Sequence, residues 1–290
     1  GESYGPDTFG STDSTSGIWK INTSPSVTYG TNGFFLKFED RDNLDLDSGT
    51  NTFTFTTSGN LTATYDNPSN NFCTLNILDD YYFGGTFSNG NTTVATGGGK
   101  SFGTSTIWLS SGLWYFEAKD IVSVTSDVIG ITSTLSASGT QYGSQAGNYA
   151  LYSYDGKIYT GGVSSSYGVT WGATDIIGCY IDLDANKLYF AKNGSIMNSG
   201  TGFDITAVAS TENGGYTTVL ADDHSSYSVT WSANFGNGYF GTTAVTSSVA
   251  DEGGIGAFEY DPSDGGASSF DGSAKDFRAI CTKNIKAYGG

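Results

Sequence analysis

The sequence predicts an all-β protein, and three observations carry that prediction. Glycine supplies 42 of the 290 residues and aromatic residues 14%, against 14% charged, which is the balance of strand formers broken by tight turns. Two apolar runs, Ile176-Ile177-Gly178-Cys179-Tyr180-Ile181 and Lys187-Leu188-Tyr189-Phe190-Ala191, flank Asp184-Ala185-Asn186, and Asn193-Gly194 closes the second run. They predict a β-hairpin in which Ile177, Cys179 and Ile181 point one way and Leu188 and Phe190 pack against them. No segment of normal helix length carries an apolar stripe; Asp204 to Ser210 has room for a turn or two.

Taken in order, residues 1–28 read as a polar, Gly- and Ser-rich arm, interrupted by the apolar island Ile18-Trp19-Lys20-Ile21. Residues 29–104 read as an N-terminal β segment, either completing the later sheets or forming a small domain. Within it, Phe34, Leu36 and Phe38 share one face of a predicted strand. Thr52 to Thr56 alternates cleanly, and Asn67 to Asn71 is a turn before Phe72 to Asn76. Strand patterns return at Gly112-Leu113-Trp114-Tyr115-Phe116-Glu117-Ala118, at Asp127 to Ile131 and at Thr217 to Ala221. Asp251 to Gly272 is rich in Gly and Asp and reads as an ordered loop within a C-terminal extension, residues 246–290. No fixed-period repeat favours a propeller or a β-helix.

The net charge of −17 argues against phosphate neutralisation, so nucleic acid is not an expected partner, and against docking on an anionic membrane by charge. It leaves positive partners, metal cations and neutral sugars open, and by itself it keeps a Gly-rich β protein soluble. No apolar run approaches the ~20 residues that span a bilayer, and no basic-apolar leader is present, so membrane insertion is not expected. The start at Gly1-Glu2-Ser3 reads as a trimmed or partial product. Cys73, Cys179 and Cys281 are odd in number and far apart, which matches neither a disulfide framework nor a zinc site. Synthesis in a reducing cytoplasm follows, with Cys179 as a small core residue.

At the strongest strands the chain resembles a known family. G-x-W-Y-F-E-A, then V-I-G-I, then W-x-x-x-D-I-I-G-C-x-I-D-L-D-x-x-K-L-Y-F-x-K-N-G, and finally Asn234-Phe235-Gly236, look like the SPRY domain over roughly Ser105 to Gly236, about half the chain. The resemblance implies a two-sheet antiparallel β-sandwich of SPRY or concanavalin-like jelly-roll type, over residues 105–245. It also implies recognition by edge loops rather than catalysis. Upstream, Y-G-T-N-G-F-F-L-K-F-E-D and D-N-P-S-N-N-F-C-T-L-N, and at the end Phe277 to Ile285, resemble tail and virion-surface proteins of marine bacteriophages. Their D-x-S-G-N-G-N motif is only partly kept, at Asp47-Ser48-Gly49-Thr50-Asn51.

Several candidate chemistries can be weighed. A Ser-His-Asp arrangement would have to use His224, the single histidine, but Asp222-Asp223-His224-Ser225 reads as a solvated turn and no G-x-S-x-G elbow exists. Glycoside hydrolysis needs two carboxylates about 5 to 10 Å apart, and among six glutamates only Glu117 lies on a strong strand. Calcium fits better: Asp40, Asp42, Asp45 and Asp47 offer oxygen ligands close together, with Gly49 for the bend, although a solvated acidic loop explains them too and the EF-hand pattern is missing. The strongest binding feature is the Tyr-rich stretch Gln141 to Trp171. Tyr142, Tyr149 and Tyr167 sit beside Gly or Asn and are the expected loop aromatics, whereas Tyr152 and Tyr154 share a face and fit a core. Trp171 reads as structural.

The reading that unites these features is a non-enzymatic phage virion surface protein, made in the host cytoplasm. As a tail-fibre or appendage subunit it would bind a host cell-surface glycan, protein or other envelope component through aromatic edge loops, and it would contact other virion proteins as a homo-oligomer. A purely structural virion subunit is the alternative; there the Ile18–Ile21 island and Phe277 to Ile285 would be buried by a neighbouring chain. A glycosidase on the same sandwich is the third reading.

Overall fold

The computed structural model describes residues 2–15, 17–38, 40, 43–58, 63–67, 69–82, 84–123, 126–135, 142–263 and 270–289. The chain divides into two compact units, Gly1–Ala63 and Thr64–Gly290.

In the first unit, β1 (Gly10–Thr12) pairs antiparallel with β2 (Trp19–Ile21), Gly10 opposite Ile21. The ring of Trp19 lies where a side chain at residue 10 would stand, so glycine is required there. The rest is loop. The predicted strand at Phe34 to Phe38 does not form, and Thr52 to Thr56 keeps a single bridge, Thr54 to Leu46. Phe38 and Thr52 take positive φ (55° and 54°), which ends an extended run. The backbone N–H groups of Phe35, Gly49 and Phe53 turn instead to the Asp47 carboxylate, at 2.7, 2.7 and 3.3 Å.

The second unit is the sandwich. Its strands in chain order are β3 (Leu75–Tyr82), β4 (Gly85–Ser88), β5 (Thr93–Thr96), β6 (Ser101–Ser105), β7 (Leu113–Val122), β8 (Asp127–Thr132), β9 (Asn148–Tyr152), β10 (Lys157–Thr160) and β11 (Val163–Ser166). They continue with β12 (Ile176–Asp182), β13 (Lys187–Lys192), β14 (Ser195–Ile196), β15 (Phe203–Asp204), β16 (Thr217–Asp222), β17 (Thr230–Asn234), β18 (Tyr239–Phe240), β19 (Thr243–Ala244) and β20 (Arg278–Ala279), followed by the helix α1 (Thr282–Tyr288). Among the described residues, one sheet runs β11-β10-β9-β8-β16-β6-β3. The facing sheet runs β14-β13-β12-β7-β17-β5-β4, with β15 on β13 and β20 parallel to β7.

The hairpin that opened the sequence argument forms β12 and β13 in the expected register, with Cys179 opposite Phe190 and Ile181 opposite Leu188. Asn186, Asn193 and Gly194 supply the positive φ that the turns need. The inward residues of β7 and β12 fill the space between the sheets, and Trp114, Phe116, Ile177, Cys179 and Ile181 are fully enclosed. The outward residues are not in water either. Tyr115, Tyr180 and Tyr189 meet Phe258, Phe270 and Phe277, with ring centroids 4.9 to 6.2 Å apart in tilted and edge contacts.

Of the two readings of residues 29–104, completion of the later sheets applies from Thr64 onward, and the residues before it fall in the first unit. Residues 64–104 belong to the sandwich, because β3 and β6 edge one sheet and β4 and β5 the other. Within the C-terminal extension, the described residues 246–263 and 270–289 form a third layer over the outer face of the larger sheet. Glu117 and Asp182 fasten it to the sheet, and Asp251 ties its own segments together. Glu117 accepts the N–H groups of Glu259 (2.7 Å) and Tyr260 (3.3 Å), the Asn234 amide and the Tyr115 hydroxyl. Asp251 accepts from Ile255, Ala279 and the Asn284 amide. Asp182 accepts the Lys275 ammonium at 2.6 Å. Phe277 to Ile285 packs on its own chain, which removes it as a surface for a neighbour.

Candidate recognition surface

Antiparallel order brings the connections after β9, β11, β13 and β16 to one end of the sandwich, and hydrogen bonds tie them together. Gly168 N–H donates to Gly156 O (2.7 Å), Trp171 N–H to Ser153 O (3.2 Å) and Asp223 N–H to Ser126 O (3.0 Å). Asp175 is the hub. Its carboxylate accepts from Gly172 N–H (3.0 Å), from the Asn193 amide (2.7 Å) and from the Lys192 ammonium (3.0 Å), while Lys192 also reaches Thr170 O (3.1 Å). Burial alone would raise the Asp175 carboxyl, but these donors outweigh it and hold it below the usual range.

Against this fixed frame lies a cavity of about 410 Å³, lined by Val169, Lys192, Asn193, Ser195, Ile196, Met197 and Asn198. Gly168 permits it, because a side chain there would strike the Met197 thioether. Two exposed aromatics stand on the same end. Tyr154, 46% exposed, bonds the Tyr159 hydroxyl at 2.7 Å, and Tyr159 bonds Asp155. Tyr227, 59% exposed, lies with its ring 4.4 Å from that of His224. The His224 Nδ1 accepts the N–H groups of Ser226 and Tyr227, so this nitrogen shapes the turn.

Beneath the loops sit buried carboxylates, Asp127 and Asp222 on the adjacent strands β8 and β16 and Asp120 on β7 of the facing sheet. Asp127 accepts the Ser123 hydroxyl, and Asp222 accepts from Thr96 and from His224 N–H. Among the described residues Asp120 has no hydrogen-bond donor on either oxygen. Burial, with the Asp127 charge beside it, raises it to about 8; burial raises Asp222 to about 6.

The three tyrosines expected as binding residues are placed elsewhere. Tyr142, Tyr149 and Tyr167 are 4%, 5% and 6% exposed. The Tyr142 hydroxyl donates to Ile131 O (2.6 Å), that of Tyr149 accepts from Thr206 N–H (2.8 Å), and that of Tyr167 reaches Leu188 O (3.4 Å). A phenol ring whose hydroxyl finds a backbone partner gains more from burial than from display, and the neighbouring glycines turn the chain inward rather than out. Tyr154 reverses the expectation in the other direction, while its partner in alternation, Tyr152, is enclosed. Trp171 is buried as expected.

The acidic loop is likewise reassigned. Both Asp47 oxygens are taken by N–H donors, and they hold its carboxyl below the usual range. Asp40 accepts the Asn43 amide, and Asp45 offers its backbone carbonyl to Phe55 N–H. Asp42 lies outside the described residues. Among the described residues no three His, Cys, Asp or Glu side chains converge as a metal would require, so the calcium loop is replaced by a loop organised on backbone N–H groups. Glu117, the glutamate on a strong strand, is enclosed with its oxygens bonded, and burial pushes it up to about 7.

A family model of the SPRY domain matches residues 113–214. The dual specificity protein kinase splA of Dictyostelium discoideum is 34% identical over 133 residues, which are 45% of this chain and 5% of that protein, so the chain spans only a small part of the curated relative. Among solved structures, the SPRY domain of human HERC1 aligns with TM-score 0.45 and 16% identity over 55% of this chain and 96% of its own. The stretch that the SPRY model matches runs from β7 to the loop before β16, within the two-sheet antiparallel sandwich.

Proposed function

We propose that this chain is a non-catalytic recognition protein whose sandwich binds a partner protein segment through the loop end that carries Tyr154, Val169, Met197 and Tyr227. The supporting observation is the preformed cavity beside the Asp175 hub. It offers an apolar floor, a few polar groups and loops already ordered, so little entropy is lost on binding. SPRY domains are in general interaction modules, which agrees with this use. The finer form of the proposal places the protein on a bacteriophage virion surface as a fibre or appendage subunit facing a host glycan or envelope protein. It rests on the resemblance of residues 29–76 and 277–285, and display in several copies would add avidity.

The test is selection of binders from a displayed random-peptide library and a glycan array on the full chain, followed by titration of the selected compounds with Val169→Asp, Tyr227→Ala and Tyr154→Ala variants, all at exposed positions. At least a tenfold loss of affinity with an unchanged unfolding midpoint is expected, with no effect from Tyr142→Phe and none from a calcium chelator. Binding that survives the three variants, or that Tyr142→Phe abolishes, would refute the assignment.

A further inference from the structure

The first unit has the opposite problem to the sandwich. Among its described residues only Gly10 and Asp47 are buried, so it holds no apolar core of its own. Phe9, Ile18, Trp19, Ile21, Phe34 and Phe38 are instead 42% to 69% exposed. Trp19 and Ile21 alternate along β2 with Lys20, which is held by Asp13 at 2.6 Å, so they share one face of the hairpin.

We propose that this unit, Gly1–Ala63, is a self-association module whose apolar face is covered by the same unit of a second copy. Area supports the pairing. A full large side chain carries about 150–250 Å², so six at roughly half exposure offer about 700 Å², near the ~800 Å² that each partner gives a stable interface. The deficit itself points to a like partner: every copy lacks the same core, and one symmetric contact relieves both. At 63 residues the unit is marginal by size, and its described residues lack the apolar core that would stabilise it alone. The edges of the two-stranded hairpin, left open within the unit, add backbone groups that a copy can pair. The inference rests on this unit alone and is independent of the loop surface, which different variants address.

Charge supplies a signature. Two chains of net charge −17 repel, so an apolar contact between them tightens as salt screens the repulsion, whereas docking on a basic partner weakens. The experiment is sedimentation equilibrium of the full chain across a wide concentration range at low and high salt. It is repeated for Trp19→Ser/Ile21→Ser and, separately, for Phe34→Ser. The expected result is a defined multiple of the chain mass, favoured by salt, with at least tenfold weaker association in the double variant and an unchanged unfolding midpoint of the sandwich. Phe34→Ser reports the same contact from outside the hairpin, with a smaller weakening. A single-chain mass at every concentration overturns the proposal. So do association that ignores all three substitutions, association that salt weakens, and a mass increase seen only when polylysine is added.

Discussion

Asp47 in the first unit accepts three backbone N–H groups; Asp251 in the sandwich accepts two and a side-chain amide. The polar device is the same, but its setting is not. Around Asp251 stand enclosed residues such as Phe258, Phe277 and Ile280, whereas around Asp47 the neighbouring aromatics Phe34 and Phe53 remain exposed. A carboxylate can order a loop in either place. Only the apolar burial around it ties that loop to the cooperative stability of a unit.

The sharpest way to break the comparison is to truncate one aromatic in each unit. Phe277→Ala should cost the sandwich about 3–5 kcal/mol in denaturant unfolding, as expected for a fully enclosed ring, while Phe34→Ala should leave the sandwich transition where it is. Next comes the fastening of the third layer. Asp251→Ala leaves buried N–H groups without an acceptor and should cost about 2–3 kcal/mol, with new proteolytic cleavage between residues 246 and 263. Asp47→Ala should speed hydrogen exchange at Phe35, Gly49 and Phe53 and leave the sandwich transition unmoved.

The pH response is smaller and separates the units again. Asp120, Glu117 and Asp222 are raised by burial, Asp120 also by Asp127, to about 8, 7 and 6. The folded state therefore holds protons that the unfolded chain releases near pH 4. Stability contributed by these protonated groups is full below that point and is lost as pH rises toward 8. Asp120→Asn should flatten this fall by at least about 1.4 kcal/mol, the equivalent of one pKa unit. An equally steep fall in the variant would locate the buried proton elsewhere. Exchange at the first unit's amides, corrected for the intrinsic pH dependence of exchange, should show no matching trend.

The hairpin β12–β13 was legible because alternation writes both its faces into the sequence, and its turns need the Asn and Gly that stand there. The binding tyrosines were not. Tyr142, Tyr149 and Tyr167 beside Gly or Asn look alike whether the turn leads outward or into the core, and the partners that decide it, Ile131, Thr206 and Leu188, are remote in sequence. The third layer was hidden by composition: Asp251 to Gly272 reads as loop, and only Phe258 and Phe270 within it hinted at burial. The loop surface itself left a faint trace, Gly168 and Asn193-Gly194 flanking Val169 and Met197. Phe34 to Phe38 shows the converse failure, since an alternating run with no partner strand stays a loop.

Amide hydrogen exchange of the full chain, read by mass spectrometry at low and high protein concentration, tests the contrast between the units most directly. The account predicts slow, concentration-independent exchange through β5 to β9, β12, β13, β16 and β17 and through residues 277–281. It predicts fast exchange over residues 2–58 in dilute solution, slowing as concentration rises. Equal protection of both units in dilute solution would contradict it.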